Sequence, residues 1–539
     1  MPMKPARRLN GWAWNGFFAF SAGAAALGTA AGPCAAASVA QHAPFKISRA
    51  TTYLTSPVLP SGRINYVAAL NAMARRGVTA KNNAGILVAR TFGPASFPTP
   101  NFAKRFRAAL SIVPVTPPAH YRYRFTSPGW CFLPRKYKSP TAKDWALFTR
   151  TYEATGHPWT TARYPRVAAW IKTNHPALLL LLRASKLDNF YLPILKRHPH
   201  GPFFSIRLPT LAAEGDQNTA LLRYAMHSVA RGHAETCEKI LLGAYRLAAL
   251  ESRQPVIFAN LVGFRLGGSA NRAVRQLVIH HDLSTALERR MLRGLRGLPR
   301  FGSVATTIGS SERYAVLDAI ERLALGHRRL LYKYAIAFVP VPGRQAPKIS
   351  PAPKRRAVAF LANVRWNLLL RNINVLVNKT VAALRGRTYA IRLLKLTALV
   401  ARVNGDHASP KQLPWLLAPE NPRNSTRILR NFFVTAAYAS EWNPIRLMQY
   451  QDDVVLQRRM AEIALALAIY HAHYHAYPRT LTALTPKYLP HTPRDPFTDG
   501  PPKYAAAAGG YTLRASSPLF GRNRVKRGRG YVLRLQCGA

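Results

Sequence analysis

Three clusters in this 539-residue chain carry residue types that chemistry needs. His471, His473 and His475 alternate near the end of a helical stretch. On a helix, His471 and His475 sit one turn apart and share a face that suits a metal, with His473 pointing away. The acid upstream on that face, Glu462, is too distant for a compact site, and imidazoles at a solvent-facing helix end also suit the negative pole of the helix dipole. No metal is assigned. Glu312, Asp318 and Glu321 fall on one helical stretch with Arg313 and Arg322. They have the types for general acid–base work, but carboxylates among arginines more simply neutralise them, since an unpaired buried charge is costly. His280-His281-Asp282 has no nucleophile positioned beside it and reads as capping between helices. The run Gly263-Phe264-Arg265-Leu266-Gly267-Gly268 lacks the spacing and strand context of a phosphate cradle, and no G-x-S-x-G, P-loop or H-E-x-x-H occurs. No catalytic residue and no cofactor follow from these patterns.

The charge balance limits the partners. Lys and Arg number 77 against 21 Asp and Glu, a formal net charge of +56. No acid precedes Asp144 and none follows Asp499. Such a field attracts polyanions and anionic membrane surfaces. The basic residues are scattered singly through apolar segments and no recognition module accompanies them, so nucleic acid is not the expected partner. Other envelope proteins or anionic polymers remain, beside the plainer reading of a solvated basic surface. The four cysteines, Cys34, Cys131, Cys237 and Cys537, form no CxxC pair. Cys237 lies on an apolar helix face and reads as core, whereas pairing of Cys131 with Cys537 is left open.

Lys4, Arg7 and Arg8 precede an uncharged stretch that is broken first by Lys46, with Ser38-Val39-Ala40 resembling a cleavage site. Residues 1–40 are thus a signal peptide or a signal anchor, and either sends the chain out of the cytoplasm to the periplasmic side. Residues 41–140 read as a Pro-rich linker, two short helices (the second capped by Asn82 or Asn83) and an irregular segment from Pro94 to Pro140. Helical patterning fills 141–410. It is expected to include two helices split at Pro176, an antiparallel hairpin about Gly232, a helix opened by the Thr285–Glu288 capping box, and helices over Ser311–Leu325, Ala357–Arg385 and Tyr389–Val403. Prolines 340, 342, 351 and 353 mark a break. Residues 411–451 connect to a last segment, 452–539. There Leu456, Met460, Ile463, Leu467, Tyr470 and Tyr474 form one apolar stripe on a helix expected to stop at Tyr477-Pro478.

That last segment continues with Leu481, Leu484, Tyr488-Leu489-Pro490, Pro493, Asp495-Pro496-Phe497, Gly500, Tyr504 and Gly510-Tyr511. The joint pattern resembles the globular end of the major, G-like pseudopilins of type II secretion. Residues NYVAALNAMARRGVTAKNNAGILVARTFGP, the Gly232 hairpin and ERYAVLDAIERLA are similar to large bacterial envelope proteins of the planctomycete type, which bring no activity to carry over. The pseudopilin resemblance implies a small α+β module in which Tyr477, Tyr488, Tyr511 and Phe497 fill a core and Asp495 fixes a turn. Two departures stand out. The helix lies far into the chain and carries Asp452, Asp453, Arg458 and Arg459, so it cannot serve as a membrane-embedded filament core. The stretch SSPLFGRNRVKRGRG is cationic where the family holds calcium with acids, so calcium is not expected there.

The expected fold is mainly α: helical hairpins or an array, an N-terminal signal or membrane segment, and a small α+β C-terminal module. The expected role is scaffolding or interaction in the bacterial envelope, membrane-anchored or periplasmic. Its rivals are an enzyme whose site is assembled from distant helices and a cationic binder of nucleic acid or an anionic envelope polymer.

Overall fold

The computed structural model describes residues 43–92, 97–111, 153–208, 210–280, 283–327, 358, 360–405, 424–439, 443–507, 510–518 and 531–537. Outside them lie the 1–40 segment, Cys34, Cys131, His281-Asp282, the Pro340–Pro353 break, most of the Pro94–Pro140 stretch and nearly all of the cationic 516–530 stretch. Among the described residues fourteen α-helices build the fold and strands are few, so the mainly α class holds. No helix among them is long and apolar enough to cross a membrane.

The short helices α1 (Tyr66–Ala74) and α2 (Ala84–Arg90) open the chain, and Asn83 caps α2 by accepting from the Gly85 N–H. Residues 43–61, expected as linker, are instead pinned to the core together with the start of the next stretch. Phe45, Thr51, Thr52 and Ile64 are buried, and Asn374 Nδ2 donates to the carbonyls of Ala50 and Thr51. Part of the segment expected to be irregular is helix α3 (Pro100–Leu110). Thr99 caps it, proline fills its first turn, and Phe102, Phe106 and Leu110 recur at helical spacing to bury one face. Helix α4 (Pro165–Ala184) runs unbroken through Pro176, where a split was expected. Interior proline costs about 3 kcal/mol. Burial of Ile171, Ala177, Leu178 and Leu181 on both sides of it, at roughly 1.5–3 kcal/mol for each large side chain, outweighs that.

After a minimal antiparallel pair, β1 (Leu195–Lys196) with β2 (Ile206–Arg207), come α5 (Thr210–Ala230) and α6 (Ala234–Glu251). Gly232, at φ +79°, makes the turn that lays these two antiparallel. Leu222 and Met226 then face the core with Cys237, Ile240, Ala244 and Leu247. Helix α7 (Ile257–His280) follows. Two of its glycines allow close packing: a Cβ at Gly263 would meet the Ala248 carbonyl, and one at Gly267 would overlap the Phe301 ring. Ser284, not Thr285, caps α8 (Thr285–Arg296), which places Glu288 one position too deep to reach back to the cap, and it is buried instead. Helix α9 (Val304–Thr307) passes through a π-turn, Ile308–Glu312, into α10 (Arg313–Ala324).

Helix α11 (Trp366–Leu384) starts later than expected, because Asn363-Val364-Arg365 breaks the backbone pattern and Arg365 N–H is taken by the Thr426 hydroxyl. Helices α12 (Tyr389–Gly405) and α13 (Ser425–Ala439) precede α14 (Pro444–Tyr474). Helix α14 begins eight residues before the boundary expected at 452, by the difference of the two numbers. Its middle is buried on nearly every side, Met460, Ala461, Ile463 to Leu467 and Ile469, rather than along one stripe. It packs on α7 and α8, in the same core as α2, α4, α5 and α6. A second cluster joins residues 45–70 to α10, α11 and α13, and a third joins the start of α7 to α9, α12 and the start of α14. Last comes an antiparallel sheet in the order β3 (Lys503–Ala507), β4 (Gly510–Ser517), β5 (Tyr531–Cys537). Tyr511, Leu513 and Ala515 alternate along β4 to bury one face on the main core.

Candidate anion-binding cleft

Helix α14 ends at Tyr474, and His475 takes the left-handed cap conformation at φ 54°. The chain turns at Pro478 and passes through a 3₁₀ turn, Leu481–Leu484, whose two leucines are buried with Leu489 against the main core. It then returns through Pro490–Pro493 toward the middle of α14. A cleft of about 1010 Å³ opens between this return, α14 and the end of α8. Its lining holds five arginines, Arg296, Arg458, Arg459, Arg479 and Arg494, together with His491 and a single acid, Glu462.

The acid is already engaged: Arg458 Nε donates to Glu462 Oε1 at 2.8 Å, and Arg458 Nη2 donates to the Arg296 carbonyl at 3.2 Å. Arg459 Nη1 donates to the carbonyl of Arg494 at 2.6 Å, which ties the return to α14. Burial outweighs the nearby acids at Arg459 and lowers its pKa below the usual arginine range. Arg494 meets Asp499 only at 3.8 Å, with both side chains more than half exposed, and such a pair is worth little. Arg296 and Arg479 are exposed and make no ion pair among the described residues. Among the lining residues five guanidinium groups face one carboxylate, and Asp499 beside Arg494, with Asp452 and Asp495 acting on Arg459 from outside the lining, offset part of that charge. Forked cations lining one concavity suit carboxylate or phosphate oxygens.

The resemblance-derived residues form the wall of this cleft and its support. Asp495 is buried, and its Oδ1 accepts from the Phe497 N–H at 2.8 Å, while Asp495 N–H donates to the Gly500 carbonyl at 2.6 Å. Pro496 lies between them in sequence, and the Phe497 ring stands edge-on to Tyr389 of α12 at 5.0 Å. Tyr477 packs edge-on to Tyr511 at 5.0 Å, Tyr488 is buried, and Tyr504 donates to the Pro478 carbonyl. Pro490 lines the cleft. The histidines are separated. His471 stacks on Tyr477 at 4.5 Å, and His475 has left the helix, so the shared face expected of His471 and His475 is not formed. His473 Nδ1 lies 2.7 Å from the Ile469 carbonyl and its Nε2 lies 2.6 Å from Arg289 Nη2. The first nitrogen therefore donates and the second accepts.

The acids of α10 lie in the second cluster, away from the cleft. Asp318 does neutralise arginines: Arg63 Nη1 at 2.9 Å and Arg322 Nε at 2.8 Å donate to it, as does the Phe203 N–H. Glu321 does not. It accepts from the Ile64 N–H at 3.1 Å and contacts the Tyr66 hydroxyl at 2.5 Å. That hydroxyl also lies 2.8 Å from the Thr52 carbonyl, and it has one hydrogen for two acceptors. Both contacts are hydrogen bonds only when Glu321 carries a proton. Burial pushes its carboxyl up to about 7, in agreement. Glu312 is likewise raised to about 7 by burial, and the Ser311 hydroxyl donates to it at 3.1 Å. Arg313 is paired with no acid among the described residues; Asn374 and Asn378 accept from it, and its guanidinium lies 3.8 Å from the centre of the Tyr53 ring. Glu251, buried beside Glu214, is raised well above the carboxylate range by that burial and then by its neighbour's charge, and the pair is closed off from solvent.

No protein-family model, curated protein or solved structure matches the chain.

Proposed function

We propose that this is a helical interaction protein of a bacterial envelope, exported and held at the membrane by its N-terminal segment, that receives an anionic partner in the arginine cleft. One observation carries the reading: five arginines converge on one concavity whose single acid is already bonded to one of them. Cations gathered with too few counter-charges in the lining gain from an added anion, and long-range attraction then speeds the encounter. Export rests on Lys4, Arg7 and Arg8 ahead of an uncharged stretch. The pseudopilin-like reading of 452–539 is supported by the order helix, Pro-rich turn region, antiparallel sheet.

The cleft is tested by titrating the purified chain with inorganic polyphosphate and with polyglutamate, against a neutral polymer. Binding of a polyanion that weakens steeply as salt rises, and weakens further in the Arg479→Ala Arg494→Ala double variant, is expected. Equal affinity in the double variant removes the cleft from the reading. Location is tested separately, by fractionating cells that carry a C-terminal tag and sequencing the mature N-terminus; a mature chain in the cytosol refutes export.

A further inference from the structure

We infer that the anionic partner is an extended acidic polypeptide that adds a strand to the free edge of β3 and lays its carboxylates in the arginine cleft. The inference rests on the cleft reading above and names the partner's chemistry. Strand β3 is the first strand of its sheet and pairs only with β4, so one row of its N–H and C=O groups meets no partner among the described residues. Such an edge is a template for another strand, and proteins usually guard it with lysine, proline, a bulge or inward charge; here Lys503, after Pro501-Pro502, guards only the first position. Here the edge reads Lys503-Tyr504-Ala505-Ala506-Ala507, with a regular register and all residues but Tyr504 exposed. Alanines let a second backbone come within the roughly 4.7–4.9 Å that strand pairing requires.

The edge and the cleft are continuous. Pro501, Pro502 and Tyr504 line the cleft, and β3 starts at Lys503 between them. A strand added to β3 therefore runs into the arginines at one end. Main-chain bonds along the edge would supply affinity, and Arg479, Arg494 and Arg459 would select carboxylates at that end. The occupant comes from another chain. Outside the described residues this one carries only Asp144, Asp282, Asp406, Glu420 and Glu441, no two of them within ten residues of each other, so it has no extended acidic segment of its own to offer there. A phosphate polymer could fill the cleft but has no use for a strand edge, which separates the two partners by experiment.

The test uses the purified full chain and a capped peptide of alternating Glu and Val, with inorganic polyphosphate in parallel. The peptide is expected to bind, to slow hydrogen exchange of amides in Lys503–Ala507 about tenfold when it is in about tenfold excess over its Kd, and to bind roughly threefold to tenfold more weakly to Arg479→Ala. Arg479 is exposed, so that variant is expected to fold. The same peptide methylated at alternate backbone nitrogens should lose binding. Unchanged affinity of the methylated peptide, or a bound peptide with no slowing at β3, overturns strand addition. Polyphosphate binding without peptide binding also overturns it while leaving the cleft reading intact; binding of neither removes both.

Discussion

Asp318 shows what one carboxylate does in a chain this basic. It is buried between Arg63 and Arg322 and also accepts a backbone N–H, so its charge holds three donors from three parts of the chain. Asp318→Asn should destabilise the fold by about 3–5 kcal/mol, because two buried guanidinium groups lose their counter-ion; urea unfolding at neutral pH measures it. Glu321 behaves in the opposite sense. Burial raises its folded pKa to about 7, as it does for Glu288 and Glu312, against an ordinary value of 4.5. Folding therefore favours the protonated form. The stability these groups contribute is complete below about pH 4.5 and is lost as pH rises through about 7. The melting temperature should accordingly be higher at pH 5 than at pH 8, and Glu321→Gln, which keeps a donor for Tyr66 and an acceptor for Ile64, should flatten that slope. A flat profile in the parent chain defeats the assignment. The Asp318–Arg322 pair was legible in the sequence, because four residues is one helical turn. The partners of Glu321 were not, since Ile64 and Tyr66 lie more than 250 residues away and periodicity carries no information about them.

At the scale of elements, α7 is fixed by what it lacks. Gly263 allows its backbone to come close to the carbonyl of Ala248 on α6, and Gly302, in the turn before α9, lies closer still to the carbonyl of Ser252. Gly263→Ala should cost about 1–3 kcal/mol by forcing the helices apart, read as a lower urea midpoint. Gly268→Ala on the same helix, with nothing near the added carbon, is the control and should change little or stabilise. The α5–α6 hairpin was legible because apolar periodicity and a turn glycine agreed. Three misreadings share a cause: local signals gave way to tertiary packing. Pro176 did not break α4, the Pro-rich 43–61 stretch was bound into the core, and α14 proved buried nearly all round. The cleft was illegible for another reason. Its arginines come from α8, α14 and the return after Pro478, and each by itself looks like one more solvated cation.

Over the whole molecule the long-range ties run between distant parts of the chain. Lys46 N–H donates to Asn367 at a separation of 321 residues, and Arg275 of α7 donates to Gln457 of α14 across 182. Helix α14 fills the space between α7 and α8, so a chain truncated before Pro444 should expose their apolar faces and aggregate, measured as loss of the soluble monomer by size exclusion. Retention of a cooperative, soluble fold in that truncation would show that α14 is an addition rather than a core strut. The central position of α14 also has a consequence for biosynthesis. A ribosome makes this helix after every other α-helix among the described residues, so the earlier helices wait with their shared seam open. Until α14 is made, the nascent polypeptide therefore carries an open apolar seam in a strongly cationic chain, and a holding chaperone that covers such a seam would suppress its aggregation.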